Sequence, residues 1–201
     1  MPNPPATLRG PFLQTVIERS VVRLTPWIEK FFAADLEAVR IVSRSARSTV
    51  GRTLAVTISR LGDGWLYPIL VAIIFFCWGF AEFRLVLFGG LNAALLHCLY
   101  PIIKRRLARL RPFKLDRRLP SLLKTRDEHS FPSGHAMTLS GVLTPIVMVH
   151  PSTAISATIM TCCMAWARVA SAHHFPSDIF VGALLGVAVG YPVSVSCLAY
   201  W

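Results

Sequence analysis

Three stretches of this chain carry residue types that can handle phosphate. The first is Lys104-Arg105-Arg106-Leu107-Ala108-Arg109-Leu110-Arg111-Pro112. Lys104 and Arg111 stand seven residues apart, about two helical turns, so they project from one face. Taken alone, the stretch also reads as a juxtamembrane basic patch that holds anionic lipid. The second is Phe131-Pro132-Ser133-Gly134-His135, directly before an apolar segment. Proline suits a first helical turn, where the free backbone N–H groups form an anion site. Gly134 lets an anion approach the backbone, and Ser133 adds a hydroxyl donor. The third runs from Arg168 through His174 to Asp178. An ionisable residue at the edge of a membrane segment is a functional candidate. Asp178 lies one turn from His174, close enough to orient its ring. A carboxylate on one imidazole nitrogen fixes the tautomer and leaves the other as a nucleophile or base. The structural alternative for this stretch is a capping Asp178 and a snorkelling Arg168.

Together the stretches supply three cations, a helix-end donor set and two histidines, one with a carboxylate beside it. A phosphate monoester or anhydride demands that set. Its reaction needs charge neutralisation, an in-line nucleophile and a proton donor for the leaving group. Metal chemistry fits less well, because acids are too few near these histidines for a hard-cation cage.

These residues must be positioned by membrane helices. Of 201 residues, 54% are hydrophobic and 15% charged, and the net charge is +11. A soluble domain carries roughly 25% charged residues. The composition excludes a disordered tail and a nucleic-acid domain, so no nucleic-acid partner is expected. Five apolar segments approach spanning length: Trp65–Ala81, Leu85–Ile103, His135–His150, Thr153–Ala170 and Ile179–Trp201. The fold class is therefore all-α, a polytopic membrane bundle of about five spans. Gly182, Gly186 and Gly190 share one face of the last segment and suit close helix packing. Pro192 is placed to kink it. The five cysteines lie in apolar runs with no CxxC spacing, which suggests neither a disulfide framework nor a zinc site.

Residues 1–64 form a separate basic region, and 65–201 the membrane-embedded domain. No continuous apolar core with a cleavage site stands out in residues 1–26. From Trp27, the residues Ile28, Phe32, Leu36, Val39 and Val42 recur at steps of three and four, which predicts an amphipathic helix started by Thr25 and Pro26. Two places suit it equally: the membrane interface, or the protein's own membrane helices. Leu61-Gly62-Asp63-Gly64 reads as a turn.

The order Lys-x6-Arg-Pro, Pro-Ser-Gly-His and Arg-x5-His-x3-Asp resembles the type 2 phosphatidic acid phosphatase family, relatives of the bacterial acid phosphatases and vanadium haloperoxidases. The resemblance spans residues 104–178. It implies a membrane lipid phosphate phosphatase without metal or cofactor. His174 would attack phosphorus to form a phosphohistidine, with Asp178 orienting it. His135 would protonate the leaving group. Lys104, Arg111 and Arg168 would hold the phosphoryl oxygens, with Ser133 and the Gly134 backbone adding hydrogen bonds. Ala167 departs from the family's usual Ser before the Arg. His129 and His173 match no motif position, and His97 and His150 read as structural.

Implied substrates are phosphatidic acid, phosphatidylglycerol phosphate, isoprenyl diphosphates and lipid A phosphates, with membrane lipids as the surroundings. Transfer to another acceptor would make the same site a phosphotransferase. A non-catalytic binder of anionic lipid would leave both histidines and Asp178 surplus. The loop Phe113–Ser130 joins two clusters and is the expected substrate selector. With five spans, 20 of the 21 Lys and Arg residues fall on the site's face, Arg84 being the exception. The positive-inside rule then turns the site toward the cytoplasm, in a bacterial cytoplasmic membrane.

Overall fold

The computed structural model describes residues 11–125 and 127–200, with side chains from Pro26 onward. Arg9, Arg126, Trp201 and the first ten positions read for a leader lie outside the described residues. The chain divides into two compact units, Met1–Glu37 and Ala38–Trp201. Helix α1, Pro11–Ser43, runs through both, with Pro26 inside it rather than at its start. The helical sequence upstream of Pro26 extends the element past the expected Thr25 cap. Within the first unit, Trp27, Ile28, Phe31 and Phe32 are exposed.

The second unit is helical, and among its described residues no strand forms beyond one isolated bridge, Leu110 to His129. Its main helices are α2 (Thr49–Arg60), α3 (Leu66–Trp78), α4 (Phe83–Leu107), the single turn α5 (Pro112–Leu115), α6 (Gly134–Val149), α7 (Ala154–Ala170) and α8 (Pro176–Ala199). At the expected turn, Leu61–Trp65 joins α2 to α3 through a kink, with non-helical backbone at Gly64. Gly64, at φ 148°, absorbs the irregularity without reversing the chain. Residues 49–64 therefore belong to the same compact unit as the helices after them.

Among the described residues, four helical stretches are long and apolar enough to cross a membrane: Thr49–Trp78, Phe80–Leu107, Pro151–Ala170 and Pro176–Ala199. Large apolar side chains stand exposed along them, Phe76 at 92% and Ile155 at 75%. Such a belt is stable against lipid and not against water. The chain is an integral membrane protein.

The fifth apolar helix, α6, has 16 residues and is about 24 Å long. It falls short of a hydrocarbon core of about 30 Å. Every residue from Ala136 to Ile146 is buried, so α6 meets its neighbours rather than lipid. A helix apolar on all sides belongs in the middle of a bundle. Leu139, Val142, Leu143 and Ile146 pack there against Leu70 and Ile74 of α3, Leu85 of α4 and Met164 of α7.

The small-residue stripe on α8 faces α6. A Cβ on Gly186 would stand 2.2 Å from the Met137 carbonyl oxygen, and one on Gly182 would stand 2.7 Å from that of Ser133. Only glycine allows this backbone approach. Asn92 of α4 ties the seam by donating from Nδ2 to the Gly141 carbonyl (2.9 Å) and to Ser194 Oγ (3.2 Å). At one end of the bundle Trp78 stacks on His150, with centroids 4.2 Å apart. The three phosphate-handling stretches lie at the other end.

Candidate active site

Proline opens two of the helices that carry the site, or stands just ahead of them. Pro176 begins α8 with Phe175 as its cap, and Pro132 precedes the Ser133 cap of α6. The two helix starts are joined directly, since the Ser133 N–H donates to the Asp178 carbonyl (3.1 Å). The end of α7 is closed by Ala172 in a left-handed conformation, φ 54°. The N–H groups of His173 and His174 then turn back to the Arg168 carbonyl at 3.1 and 3.4 Å. This wrap folds His174 beside Arg168 although six residues separate them in sequence.

Burial within this constellation is nearly complete. Ser133 is 0%, His174 2%, Arg111 3%, Arg168 6% and Lys104 7% exposed. Three buried polar atoms here, Ser133 Oγ, Arg168 Nε and His174 Nδ1, have no hydrogen-bond partner among the described residues. Buried polar groups are nearly always paired, so an unpaired set in one place points to a missing polar ligand. The His174 ring is pushed well below the ordinary histidine range, first by burial and then by the charges of Arg168, Arg111, Lys104 and His135. Those four groups and His174 thus share one electrostatic neighbourhood.

The expected cations Lys104 and Arg111 already hold an anion. Lys104 Nζ donates to both carboxylate oxygens of Asp127, at 2.9 and 3.1 Å. Arg111 Nη2 reaches the same carboxylate at 2.8 Å, and its Nη1 reaches the His173 carbonyl at 3.0 Å. Burial raises the Asp127 carboxyl, but Lys104 and Arg111 outweigh it and hold the group below the usual carboxylate value. The carboxylate shows that two cations converge with the spacing an oxyanion needs.

Asp178 lies 3.6 Å from His174 Nδ1 through Oδ2, longer than a hydrogen bond. That oxygen accepts the Phe175 N–H at 2.8 Å, while Oδ1 accepts from Arg109 Nη1 at 2.7 Å. The Arg109 guanidinium also lies over the Phe175 ring, 3.7 Å from its centroid. Gly134 stands at the start of α6 beside Tyr100, and His135 Nε2 meets Asp63 Oδ1 at 3.1 Å. His173 is directed away from this set, with Nε2 facing Ser121 Oγ (3.2 Å) and the Leu123 carbonyl (3.1 Å). Burial, then Arg168 and Arg111, lower its pKa to about 3.

Asp63, Arg109 and Asp127 went unrecognised in the sequence. Asp127 had one signal, an acid inside a strongly basic loop. Arg109 sat in the first cluster without the seven-residue spacing that singles out Lys104 and Arg111. Asp63 was absorbed into an apparent turn. Among the described residues no group of three or more His, Cys, Asp or Glu side chains is placed to hold a metal ion.

The family profile of the PAP2 superfamily matches residues 85–199. The chain belongs to that superfamily. Decaprenylphosphoryl-5-phosphoribose phosphatase from two strains of Mycobacterium tuberculosis is 31% identical over 117 residues, which cover 52% of this chain. The chain spans 56% of the length of those curated relatives. Among solved structures, Aquifex aeolicus LpxE matches with a TM-score of 0.63 and 25% identity, over 79% of this chain and 93% of that one. A PAP2-type phosphatidylglycerolphosphate phosphatase from Bacillus subtilis matches with a TM-score of 0.43 and 21% identity, over 80% and 92%.

Proposed function

We propose that this chain is a lipid phosphate phosphatase that works through a phosphohistidine on His174 without a metal ion. The observation that carries the reading is the set of unpaired, buried atoms on Ser133, Arg168 and His174 beside two cations gripping a carboxylate. A phosphoryl group supplies the acceptors that Ser133 Oγ and Arg168 Nε lack, while His174 Nδ1 has the Asp178 carboxylate at 3.6 Å.

His174 is neutral in its buried site, so its ring nitrogen holds a free electron pair. Nδ1 faces Asp178, which leaves Nε2 to attack phosphorus in line. As the N–P bond forms, the P–O bond to the lipid breaks. The leaving oxygen takes a proton from His135. Water then attacks the phosphohistidine and returns a proton to His135, and inorganic phosphate leaves. Lys104, Arg111 and Arg168 neutralise the equatorial oxygens throughout, the role a metal ion plays elsewhere. Asp127 leaves its cations as the phosphoryl group takes its place.

The site lies at the water-facing end of membrane helices, which fits a phosphate on a lipid anchor. The Mycobacterium relative's name places polyprenyl-linked phosphate esters first among substrates to try. The excess of Lys and Arg on the site's face favours the cytoplasmic side of a bacterial cytoplasmic membrane.

The test is phosphate release by detergent-purified protein in EDTA. The panel holds a polyprenyl phosphosugar monoester, phosphatidic acid, phosphatidylglycerol phosphate and an isoprenyl diphosphate. Release that His174→Ala abolishes, with acid-labile phosphate trapped on the wild-type protein, is the expected result. No release from any member would sink the reading. Release that depends on added divalent metal would remove the metal-free mechanism.

A further inference from the structure

His135 has a carboxylate of its own. Its Nε2 lies 3.1 Å from Asp63 Oδ1, across 72 residues of sequence. The approach is built into the backbone at Asp63. A Cβ on Gly62 would stand 2.7 Å from His135 Cδ2 and would press on the Met164 methyl, so a larger residue here would have to displace the His135 ring or the Met164 side chain. On the other side of Asp63, Gly64 takes φ 148°, a conformation L side chains rarely adopt. The two helices meet here at a kink, with Asp63 immediately before the non-helical Gly64. Two glycines with different duties thus bracket one acid and aim it at one histidine. Burial is the largest influence on that ring and, with Arg168 and Lys104, lowers its pKa, whereas Asp63 opposes them and raises it. Among these side chains Asp63 alone is negative.

Resting on the phosphatase reading above, we propose that Asp63 is a positioning residue for His135, fixing its tautomer and stabilising the protonated ring that serves the leaving group. The Asp63 carboxylate accepts a hydrogen bond from Nε2–H, and that proton stays on Nε2. Nδ1 is then the nitrogen that gives its proton to the lipid oxygen as the P–O bond breaks, and regains one from the attacking water. Asp63 itself is not protonated in the cycle. The site then contains two carboxylate–histidine pairs, with Asp178 beside the nucleophile and Asp63 on the acid.

The experiment compares wild type, Asp63→Asn and Asp63→Glu as full-length chains in detergent, with thermal unfolding to confirm that each folds. Each is assayed against pH on a lipid phosphate and on an aryl phosphate with an acidic phenol, whose departure needs no proton. Asp63→Asn should lower kcat on the lipid phosphate on the order of 10²-fold with KM little changed. Its alkaline limb should move to lower pH, its loss on the aryl phosphate should be small, and Asp63→Glu should restore part of the activity. Equal loss on both substrates with an unmoved pH profile would assign Asp63 a structural role and overturn the proposal, as would full activity in Asp63→Asn. Histidine ¹⁵N NMR gives a readout independent of turnover: the His135 imidazolium should titrate at lower pH in Asp63→Asn. If wild type releases no phosphate at all, the phosphatase reading fails, and the NMR shift still decides the pairing. An unmoved shift would overturn the pairing as well.

Discussion

At the scale of single residues, the candidate site is a contest for anions among a few cations. Asp127 occupies Lys104 and Arg111, so Asp127→Asn should tighten competitive inhibition by inorganic phosphate several-fold. Weaker inhibition would mean that Asp127 holds the cations in place rather than competing with substrate. Arg168→Ala should cost about 3 kcal/mol of transition-state stabilisation, read as roughly a 10²-fold loss in kcat. Acidity should act on stability through the two loop histidines. Unfolded histidine takes up a proton near pH 6.5, whereas His173 in the fold does so only at about 3 and His174 also lies well below 6.5. Stability is thus fully present above pH 6.5 and declines as pH falls below it, by roughly 1.4 kcal/mol per pH unit for each such group. Thermal midpoints measured between about pH 6 and 4 should follow this slope, and His173→Gln should flatten it. The residues legible in the sequence were those close along the chain, such as His174 with Asp178. Lys104 and Arg111 do meet one carboxylate, but α4 ends at Leu107 and Arg111 is extended, so the shared helical face that their spacing predicts is not what brings them together. Asp63 and Arg109 were not legible, because their partners stand 72 and 69 residues away and no periodicity links them.

Helices show the same division. The glycine stripe of α8 was readable from its four-residue step, and the structure assigns its partner as the opening turns of α6. Gly186→Ala would drive a methyl group into the Met137 carbonyl, so a destabilisation of about 1–3 kcal/mol is expected. Thermal unfolding in detergent measures it, and an unchanged midpoint would show that the seam opens easily. The turn expected at 61–64 corresponds to a kink with non-helical backbone at Gly64 rather than to a chain reversal. Here apolar helical sequence on both sides continues the helix, and the glycines serve a close approach instead. The start of α1 was misread for a related reason. Pro26 is a common first-turn residue, yet it sits inside a helix that begins at Pro11.

For the molecule as a whole, composition alone announced a membrane bundle, whereas the order of packing around α6 could not be read from it. A central helix enclosed by the others differs from its neighbours only in who surrounds it. The two ends of the bundle are chemically unlike, one carrying the Lys104–Asp178 constellation and the other Trp78, Glu82 and His150. In a cysteine-free background, a membrane-impermeant thiol reagent added to intact cells should label a cysteine placed at Phe80 and spare one at Lys124. Labelling of position 124 alone would turn the site outward. Labelling of both would break the assignment of ends.

The backbone bond from the Ser133 N–H to the Asp178 carbonyl has a consequence for how such a site could diversify. It clamps the starts of α6 and α8 together, above a glycine seam that admits no larger side chain. That half of the pocket behaves as an anvil. If the proposed phosphatase reading holds, room for a bulkier head group would come from the opposing jaw, the Lys104–Ser130 stretch, whose grip on its own acid would be exchanged for a guest.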